Sequence, residues 1–394
     1  MMQSRCRNCL FRILVLDSIF SIGYIIWVFI GGDQLPGIST HNCSIITNGS
    51  PVVGNQENSD LSSHSRLHDT TKAFEKQQGS RMRDHNCIHI ATTADDVFLP
   101  GVIGLIKTTY RNSNMNMHSS NVTIQFEIFL TPEQDSGVIK NLFSSKEAKE
   151  NNWSFRIHLI EKKDVDVYRN IRFSWKTGEE KRAVGDSDTP HIYAIHLLVQ
   201  RLIDVKYVFW IEADTAVRKD IIDFVMKETR TVEERNELLN SPTKQIAEYG
   251  LPGKTFREKY GIAAFPRNVQ TLKPSVYTKL KELGFKVYGM PHFNSGILLL
   301  NLDLWRKQNI DHELKKLIKI NNELDLWRKF GIQPALNLFF GGTNFFHLSP
   351  NTVQMKFGYQ KIDKPIDTAY FLHWNGEYKP WLKSGMNKHL WAID

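Results

Sequence analysis

The sequence predicts an α/β protein whose mostly parallel sheet carries helices on both faces. From about residue 86, short β-branched runs alternate with segments whose apolar residues follow helical spacing. The run CIHIATTADD precedes LPGVIGLIKTTYRNS, and IYAIHLLVQRLI leads into KYVFWIEAD, while VTIQFEIFL and FRIHLIE are typical of further strands. Alternation of strand and helix favours parallel strands, because each crossover supplies a helix that covers the sheet.

Two further segments, 228–260 and 310–327, differ in their predicted structure. The stretch 228–260 is polar, contains SP and GLPG, and is predicted to be an insertion or a mobile loop; its GKT lacks the first glycine of a phosphate-binding loop. The segment 310–327 is predicted to form a core-facing helix. The side chains expected on its buried face are Leu314, Leu317, Ile318, Leu324 and Trp327.

Composition sets limits on size and on partners. The chain has 394 residues, of which 41% are hydrophobic and 23% charged, so it can form one large α/β domain or two smaller ones. The net charge of +8 is modest for this length. Lysine and arginine form no stripe with interleaved aromatic residues, which argues against a nucleic-acid-binding protein.

The N-terminus predicts a membrane anchor. Residues 10–31 are apolar apart from Arg12 and Asp17, and Arg5 and Arg7 precede them. This length spans a bilayer, and the basic flank places the short N-terminal tail in the cytoplasm. A cleaved signal peptide is the alternative, although no small-x-small cleavage site follows the run cleanly.

The predicted organisation is therefore that of a single-pass type II membrane protein. The expected parts are a tail over 1–12, an anchor over 13–31, a flexible stem over 32–85 and a lumenal domain over 86–394. The stem is rich in serine, asparagine and glycine. Glycosylation sequons at Asn42, Asn48, Asn121 and Asn152 agree with a lumenal location. Cys43 and Cys87 either form a disulfide or remain thiols.

Two acids follow a strand that looks buried. In YVFWIEADTAV, Glu212 and Asp214 stand at positions i and i+2 of an extended segment, so both side chains point to one side. Ligands of open parallel sheets bind beyond the carboxyl ends of the strands. Carboxylate oxygens suit Mg²⁺ or Mn²⁺. A solvated strand end is the other interpretation of these acids.

Two further segments carry candidate site residues. FLHWNGEYKPW offers His373 as a metal ligand, Gly376 for close backbone approach and Lys379 as a countercharge for phosphate. PHFNSGILLLNLDLWR places Asn294 and Ser295 in a turn at the sheet edge, where they could hold sugar hydroxyls. A structural role for the histidine and a plain tight turn remain open for these segments.

Taken in order, these motifs resemble glycosyltransferase family 8. The segments that carry the resemblance are ATTADDVFLPG, WIEAD, FNSGILLLNLDLWR, IQPALNLFF and HWNGEYKPW, and they span roughly residues 87–385. The chain looks most similar to the plant galacturonosyltransferase-like and animal glycosyltransferase 8 domain-containing branches. The resemblance implies a GT-A fold, a UDP-sugar donor, Mn²⁺ (or Mg²⁺) and retention of the anomeric configuration.

The resemblance also implies roles for particular residues. Glu212, Asp214 and His373 would hold the metal. Gly376 and Lys379 would contact the diphosphate, and Thr93 and Asp95 would meet the uridine. Asn294 and Gln333 would line the donor-sugar pocket as the candidate catalytic residues.

Three departures from the family pattern affect this expectation. Glu212 replaces the first aspartate of the DxD motif and is one methylene longer. Ile195 stands where an arginine is common, and Ile332 precedes Gln333 where an aspartate is often found.

The resulting hypothesis is a retaining glycosyltransferase that uses a UDP-sugar and a glycan, protein or lipid acceptor. Its predicted location is the Golgi membrane, with the endoplasmic reticulum as the alternative. Two other functions remain open, a catalytically silent UDP- or sugar-binding protein of the same fold and a UDP-sugar hydrolase.

Overall fold

In a computed structural model of the chain, the structure describes residues 87–391 except for 114–121, 133, 135, 151–152, 166–189, 242–247, 249, 271 and 328–330. The predicted tail, anchor and stem, the four sequon asparagines and Cys43 lie outside the described residues. Within the part that is described, none of the helices has the length and apolar character needed to cross a bilayer.

The strands, in chain order, are β1 Cys87–Thr93, β2 Thr123–Leu130, β3 Ser154–Leu159, β4 Tyr207–Ile211, β5 Thr215–Val217, β6 Ile262–Arg267, β7 His292–Asn301, β8 Phe346–His347, β9 Val353–Gln354 and β10 Phe371–His373. The α-helices are α1 Leu99–Asn112, α2 Gly137–Ser144, α3 Lys146–Glu150, α4 Lys162–Val165, α5 Leu198–Arg201, α6 Ile221–Glu228, α7 Val232–Leu239, α8 Lys254–Lys259, α9 Pro274–Glu282, α10 Leu302–Lys307, α11 Ile310–Leu324 and α12 Gln333–Phe340. Short 3-10 helices cover Pro190–Leu197, Pro350–Thr352 and Lys388–Leu390.

Seven strands form the main sheet, in the order β3-β2-β1-β4-β7-β6-β8. The pairs β3-β2, β2-β1 and β1-β4 are parallel. Strand β7 runs antiparallel to both of its neighbours, β4 and β6, and β8 is parallel to β6. The predicted α/β class with a mostly parallel sheet is therefore confirmed, and β7 is the reversed strand.

Alternation along the strands divides the core between the two faces of this sheet. In β4, Phe209 and Ile211 join one cluster, which includes apolar residues of α1 and α6. Val208 and Trp210 join the other, which includes apolar residues of α9, α11 and α12. Both faces of β4 are thus covered, which explains why its sequence is almost continuously apolar.

A second, three-stranded sheet is ordered β5-β10-β9. Strand β5 follows β4 after a short turn and pairs antiparallel with β10. Since β10 lies near the C-terminus, this small sheet brings the end of the chain to the carboxyl end of β4.

Two local predictions are corrected by the structure. The described part of 228–260 contains α7 and α8 instead of a mobile loop. The guanidinium of buried Arg230 donates to the carbonyls of Val225, Met226 and Leu251, and Glu234 accepts from the backbone N–H and hydroxyl of Thr255. The Arg230 contacts tie the segment to α6, and the Glu234 contacts join α7 to α8.

The prediction for the helix 310–327 is right for most of its face and wrong at its end. Leu314, Leu317 and Ile318 are buried, but Leu324 is 43% exposed. The helix ends there because Asp325 adopts a left-handed conformation, with φ 53°. Trp327 is nevertheless buried, since the chain turns back and the backbone N–H of Trp327 donates to Asn321 Oδ1 at 2.7 Å.

Candidate functional site

The turn between β4 and β5 presents Glu212 and Asp214 at the carboxyl end of β4. The Glu212 N–H donates to the Gly296 carbonyl at 2.7 Å, which continues the antiparallel pairing of β4 with β7. Asp214 is buried, whereas the Glu212 side chain is 40% exposed. One acid therefore belongs to the protein interior and the other to the mouth of the site.

His373 reaches these acids through the small sheet. In the β5-β10 pairing, His373 stands opposite Thr215, and the Trp374 N–H donates to the Asp214 carbonyl at 2.8 Å. This register places the imidazole directly over the turn that carries the acids. A histidine far away in the sequence thus joins the two carboxylates.

The three side chains converge on one point. His373 Nε2 lies 3.1 Å from Asp214 Oδ1 and 3.3 Å from Glu212 Oε2, and one ligand atom from each residue lies within 4.8 Å of the others. Among the described residues, Asp214 Oδ1 and both His373 ring nitrogens are buried without a hydrogen-bond partner. Each such atom costs about 1–3 kcal/mol if nothing satisfies it. The donor set of carboxylate oxygens and imidazole nitrogen suits Mn²⁺ or Mg²⁺.

The electrostatics of this triad favour a bound cation. Burial by itself would raise the pKa of Asp214, but the charges of Lys379 and His373 outweigh it and hold that pKa well below its usual range. Burial would lower the pKa of His373, but the negative charges of Asp214 and Glu212 outweigh it and raise the pKa to about 9. The pocket therefore stabilises positive charge, which a proton or a metal ion can supply.

Gly296 in β7 makes room for the triad. A Cβ atom at this position would lie 2.3 Å from His373 Cε1 and 2.6 Å from Glu212 Oε2, distances that real Cβ atoms do not adopt. The predicted turn at NSG is wrong, because Asn294, Ser295 and Gly296 all lie within β7. The structure also shows that the glycine, and not only Asn294, belongs to the site.

Asn294 and Gln333 form a second polar group beside the triad. Gln333 Oε1 accepts from Asn294 Nδ2 and from the Ser295 N–H, both at 3.1 Å, and Asn294 Oδ1 accepts from the Gly296 N–H at 3.0 Å. Because backbone N–H groups can only donate, these bonds fix the orientation of both amides. The Gln333 oxygen is thus directed into the protein.

Asn337 is a supporting residue that the sequence did not reveal. Its side chain accepts from the Phe293 N–H at 2.9 Å and donates to the Phe293 carbonyl at 3.1 Å. This fully buried amide ties the start of β7 to α12 and so sets Asn294 beside Gln333.

The loop after β10 carries Gly376 and Lys379. Gly376 has φ 127°, and a Cβ there would lie 2.6 Å from the Gly358 carbonyl oxygen, so glycine is required. Lys379 Nζ forms a very short contact with Asp214 Oδ2 and donates to the Trp374 carbonyl at 3.0 Å. The predicted phosphate lysine is therefore held on the metal-ligand candidate Asp214.

Thr93 and Asp95 lie at the carboxyl end of β1, beside the carboxyl end of the neighbouring parallel strand β4. The Thr93 hydroxyl donates to the Phe129 carbonyl at 3.0 Å and lies 3.2 Å from His191 Nδ1. Asp95 Oδ1 accepts from the Phe98 N–H at 2.9 Å, and burial raises the pKa of this carboxyl. Their predicted role toward uridine stays a prediction.

Gly101 in α1 allows the helix to pack closely against both the turn after β4 and the C-terminal loop. A Cβ at Gly101 would lie 2.6 Å from both the Ala213 carbonyl oxygen and the Trp381 ring. Trp381 also contacts Phe98 edge-on, with 5.5 Å between the ring centroids. Helix α1 thus packs directly beneath the turn that carries the acids.

Ile195 stands where the family resemblance expects an arginine. Its side chain is fully buried within the core cluster that includes Tyr193 and Leu198. The position therefore contributes to packing and offers no charge to a ligand.

Comparison with known protein families identifies one that matches most of the described domain. The model of the family described as "Glycosyl transferase family 8" matches residues 89–385, well over half of the chain.

The chain belongs to glycosyl transferase family 8.

Curated relatives agree. The chain is 24% identical over 218 residues to glycosyltransferase 8 domain-containing protein 1 of Xenopus laevis, covering 51% of this chain and 54% of that protein. It is 32% identical over 99 residues to the probable galacturonosyltransferase 10 of Arabidopsis thaliana, covering 24% of this chain and 18% of that protein. The alignments thus span about half or less of these relatives. The predicted resemblance to the animal and plant branches is confirmed.

The solved structures to which the chain is similar share less of its sequence. A complex of the galactosyltransferase LgtC with donor and acceptor sugar analogues is 16% identical, with a TM-score of 0.46, covering 75% of this chain and 90% of that one. Mouse xyloside xylosyltransferase 1 is 13% identical, with a TM-score of 0.45, covering 73% of this chain and 98% of that one.

Proposed function

We propose that this family 8 protein is a retaining glycosyltransferase that transfers a sugar from a UDP-sugar to a hydroxyl acceptor. The observation that carries the proposal is the convergence of Glu212, Asp214 and His373 beside the Asn294–Gln333 pair. The first group has the donor atoms for a divalent ion, and the second has amides suited to sugar hydroxyls. Both lie at the sheet edge where ligands of α/β folds bind.

The proposed chemistry assigns a role to each group. A divalent ion bound to the triad supplies Lewis-acid stabilisation of the leaving diphosphate. Lys379 adds positive charge where negative charge develops. Gly376 lets the backbone approach the diphosphate closely.

The orientation of Gln333 bears on how the anomeric configuration would be retained. Its oxygen accepts from Asn294 and Ser295, so this amide offers the sugar an N–H group and no nucleophile. The acceptor hydroxyl would then attack from the face that UDP vacates, with UDP assisting its deprotonation. This requires no covalent intermediate on the protein.

A catalytically silent binding protein is the second candidate. The burial of Ile195 favours it, because the position where the family resemblance implies an arginine offers no charge here. The longer and half-exposed Glu212 favours it as well. Such a protein would bind UDP without releasing it from a UDP-sugar.

One assay separates these functions. The purified full chain is incubated with Mn²⁺ and a panel of UDP-sugars, with and without glycan, peptide and lipid acceptors, and UDP release is measured. A transferase releases UDP faster when its acceptor is present, whereas a hydrolase is indifferent to acceptors and a binding protein gives no release. Asp214→Ala serves as the site variant and exposed Asp367→Ala as its matched control.

For its location, we propose a type II protein of the Golgi membrane, on the basis of the apolar run 10–31 and its basic flank. Mass spectrometry of the mature protein tests the anchor. A retained segment through Ile30 supports it, and a mature N-terminus after residue 32 contradicts it.

A further inference from the structure

Lys379 is a buried cation in contact with the triad. Its ammonium contacts Asp214 Oδ2, donates to the Trp374 carbonyl at 3.0 Å and lies 5.4 Å from the centre of the Phe98 ring. The residue is only 6% exposed. An amine this enclosed, with a carboxylate, a carbonyl and an aromatic face around it, is placed by the fold and is not a loosely held surface lysine.

The pairing divides the two oxygens of Asp214 between two tasks. Oδ2 is engaged by Lys379, while Oδ1 faces His373 and has no hydrogen-bond partner among the described residues. The carboxylate can thus offer one oxygen to a metal ion without releasing the lysine. A metal ion on Oδ1 would then share this single carboxylate with the ammonium.

The positive charge of Lys379 affects how strongly a metal ion can bind to Asp214. Two cations close to one buried carboxylate repel each other, and in a protein interior this repulsion is much stronger than in water. When His373 is neutral, as metal ligation requires, Lys379 balances one of the two negative charges on Glu212 and Asp214. A divalent ion then faces only one unbalanced negative charge. A further anion beside the ammonium, such as a diphosphate, would neutralise Lys379 and leave both carboxylate charges to the ion.

We infer that Lys379 is a built-in counter-ion of Asp214 that weakens divalent-metal binding in the nucleotide-free protein and is neutralised when a diphosphate group binds. The inference rests on the metal site of the proposed function. It makes metal and nucleotide bind cooperatively, and by linkage each must then raise the affinity for the other by the same factor.

The test measures Mn²⁺ affinity and no turnover. Electron paramagnetic resonance of free Mn²⁺ gives the affinity of the full chain with and without saturating UDP. Lys379→Met removes the charge and keeps the aliphatic stem, whereas Lys379→Gln is neutral and retains an N–H donor on a side chain one bond shorter. Lys361→Met, at a lysine whose side chain is 82% exposed, is the control.

Without UDP, both neutral variants should bind Mn²⁺ at least about tenfold more tightly than the wild type. With UDP this difference should shrink, and the control should match the wild type throughout. Thermal unfolding of the metal-free variants shows which of them keep the fold, and Lys379→Gln serves as the second neutral variant if the methionine variant unfolds.

Equal or weaker Mn²⁺ binding by the folded neutral variants, without UDP, would overturn the inference and would make Lys379 a residue that merely orients Asp214. That result would leave the proposed function intact, because UDP release in the transferase assay is measured independently. Conversely, a protein that releases no UDP from any donor could still show the counter-ion effect.

Discussion

Two buried carboxylates of this protein, Glu127 and Asp214, have similar neighbours but differ in how completely they are satisfied. Glu127 in β2 is fully buried and binds His89 Nδ1 at 2.8 Å, Arg156 at 2.6 Å and His158 Nε2 at 2.7 Å. Burial would raise its pKa, but these three partners outweigh it and hold the pKa well below its usual range.

Asp214 also has a histidine and a cation beside it, yet one of its oxygens and the histidine nitrogens remain unsatisfied among the described residues. Residue types alone would rank the two clusters alike. The completed hydrogen bonds of Glu127 indicate a structural network that joins β1, β2 and β3. The polar atoms around Asp214 that lack hydrogen-bond partners among the described residues indicate a place for a ligand. The predictions below test this contrast.

The largest expected effect is on catalysis at Asp214. Asp214→Asn keeps the shape but removes the charged metal ligand, so UDP release from the active donor should fall by about 10³-fold or more. The same assay on Glu127→Gln at a temperature where it is folded should show a far smaller loss. Equal losses in both variants would show that the contrast between the clusters is wrong.

Next in size is a stability effect at Glu127. Glu127→Gln leaves Arg156 and two histidines without their anion, and we expect a loss of about 2–3 kcal/mol in the free energy of unfolding, reduced by the partial exposure of Arg156. Urea unfolding measures it. As a control, Glu147→Gln in the exposed pair with Arg111 should cost less than about 1 kcal/mol.

Gly296 should matter for the metal site more than for the fold. The Cβ of Gly296→Ala would displace His373 or Glu212, so Mn²⁺ affinity in the presence of UDP should fall about tenfold or more. Gly289→Ala is the matched control, because nothing lies within 4 Å of a Cβ there. Unchanged Mn²⁺ affinity in the Gly296 variant would show that the triad does not hold the ion.

The smallest effect is the pH dependence of metal binding. His373 has a pKa raised to about 9, so below that pH a proton competes with the metal, and Mn²⁺ affinity should fall as the pH drops from 9 toward 7. For the same reason, the stabilisation of the metal-free protein by protonated His373 is complete below the ordinary pKa of 6.5 and is lost as pH rises through 9. Titration calorimetry and thermal unfolding across this range check both signs.

The sequence revealed the parts of the site that are local. The period of two in an extended chain puts Glu212 and Asp214 on one side, and a strand end is where a sheet binds ligands. His373 could be joined to them only through the family resemblance, because its position depends on the pairing of β5 with β10.

The remaining features depend on contacts between distant segments, which no local pattern encodes. The need for glycine at 296 comes from His373 and Glu212, and the Glu127 network assembles side chains from three strands. Hydrophobic spacing likewise predicted Leu324 as buried, but a left-handed Asp325 ends the helix and directs the following chain inward.

The most direct test of the central claim is anomalous X-ray scattering from crystals of the full chain grown with Mn²⁺ and UDP. We expect an anomalous peak about 2.0–2.3 Å from Asp214 Oδ1 and His373 Nε2, with Glu212 as a further ligand. Bound UDP with no peak at these side chains, or with Mn²⁺ held elsewhere, would contradict the assignment of Glu212, Asp214 and His373 as the metal site.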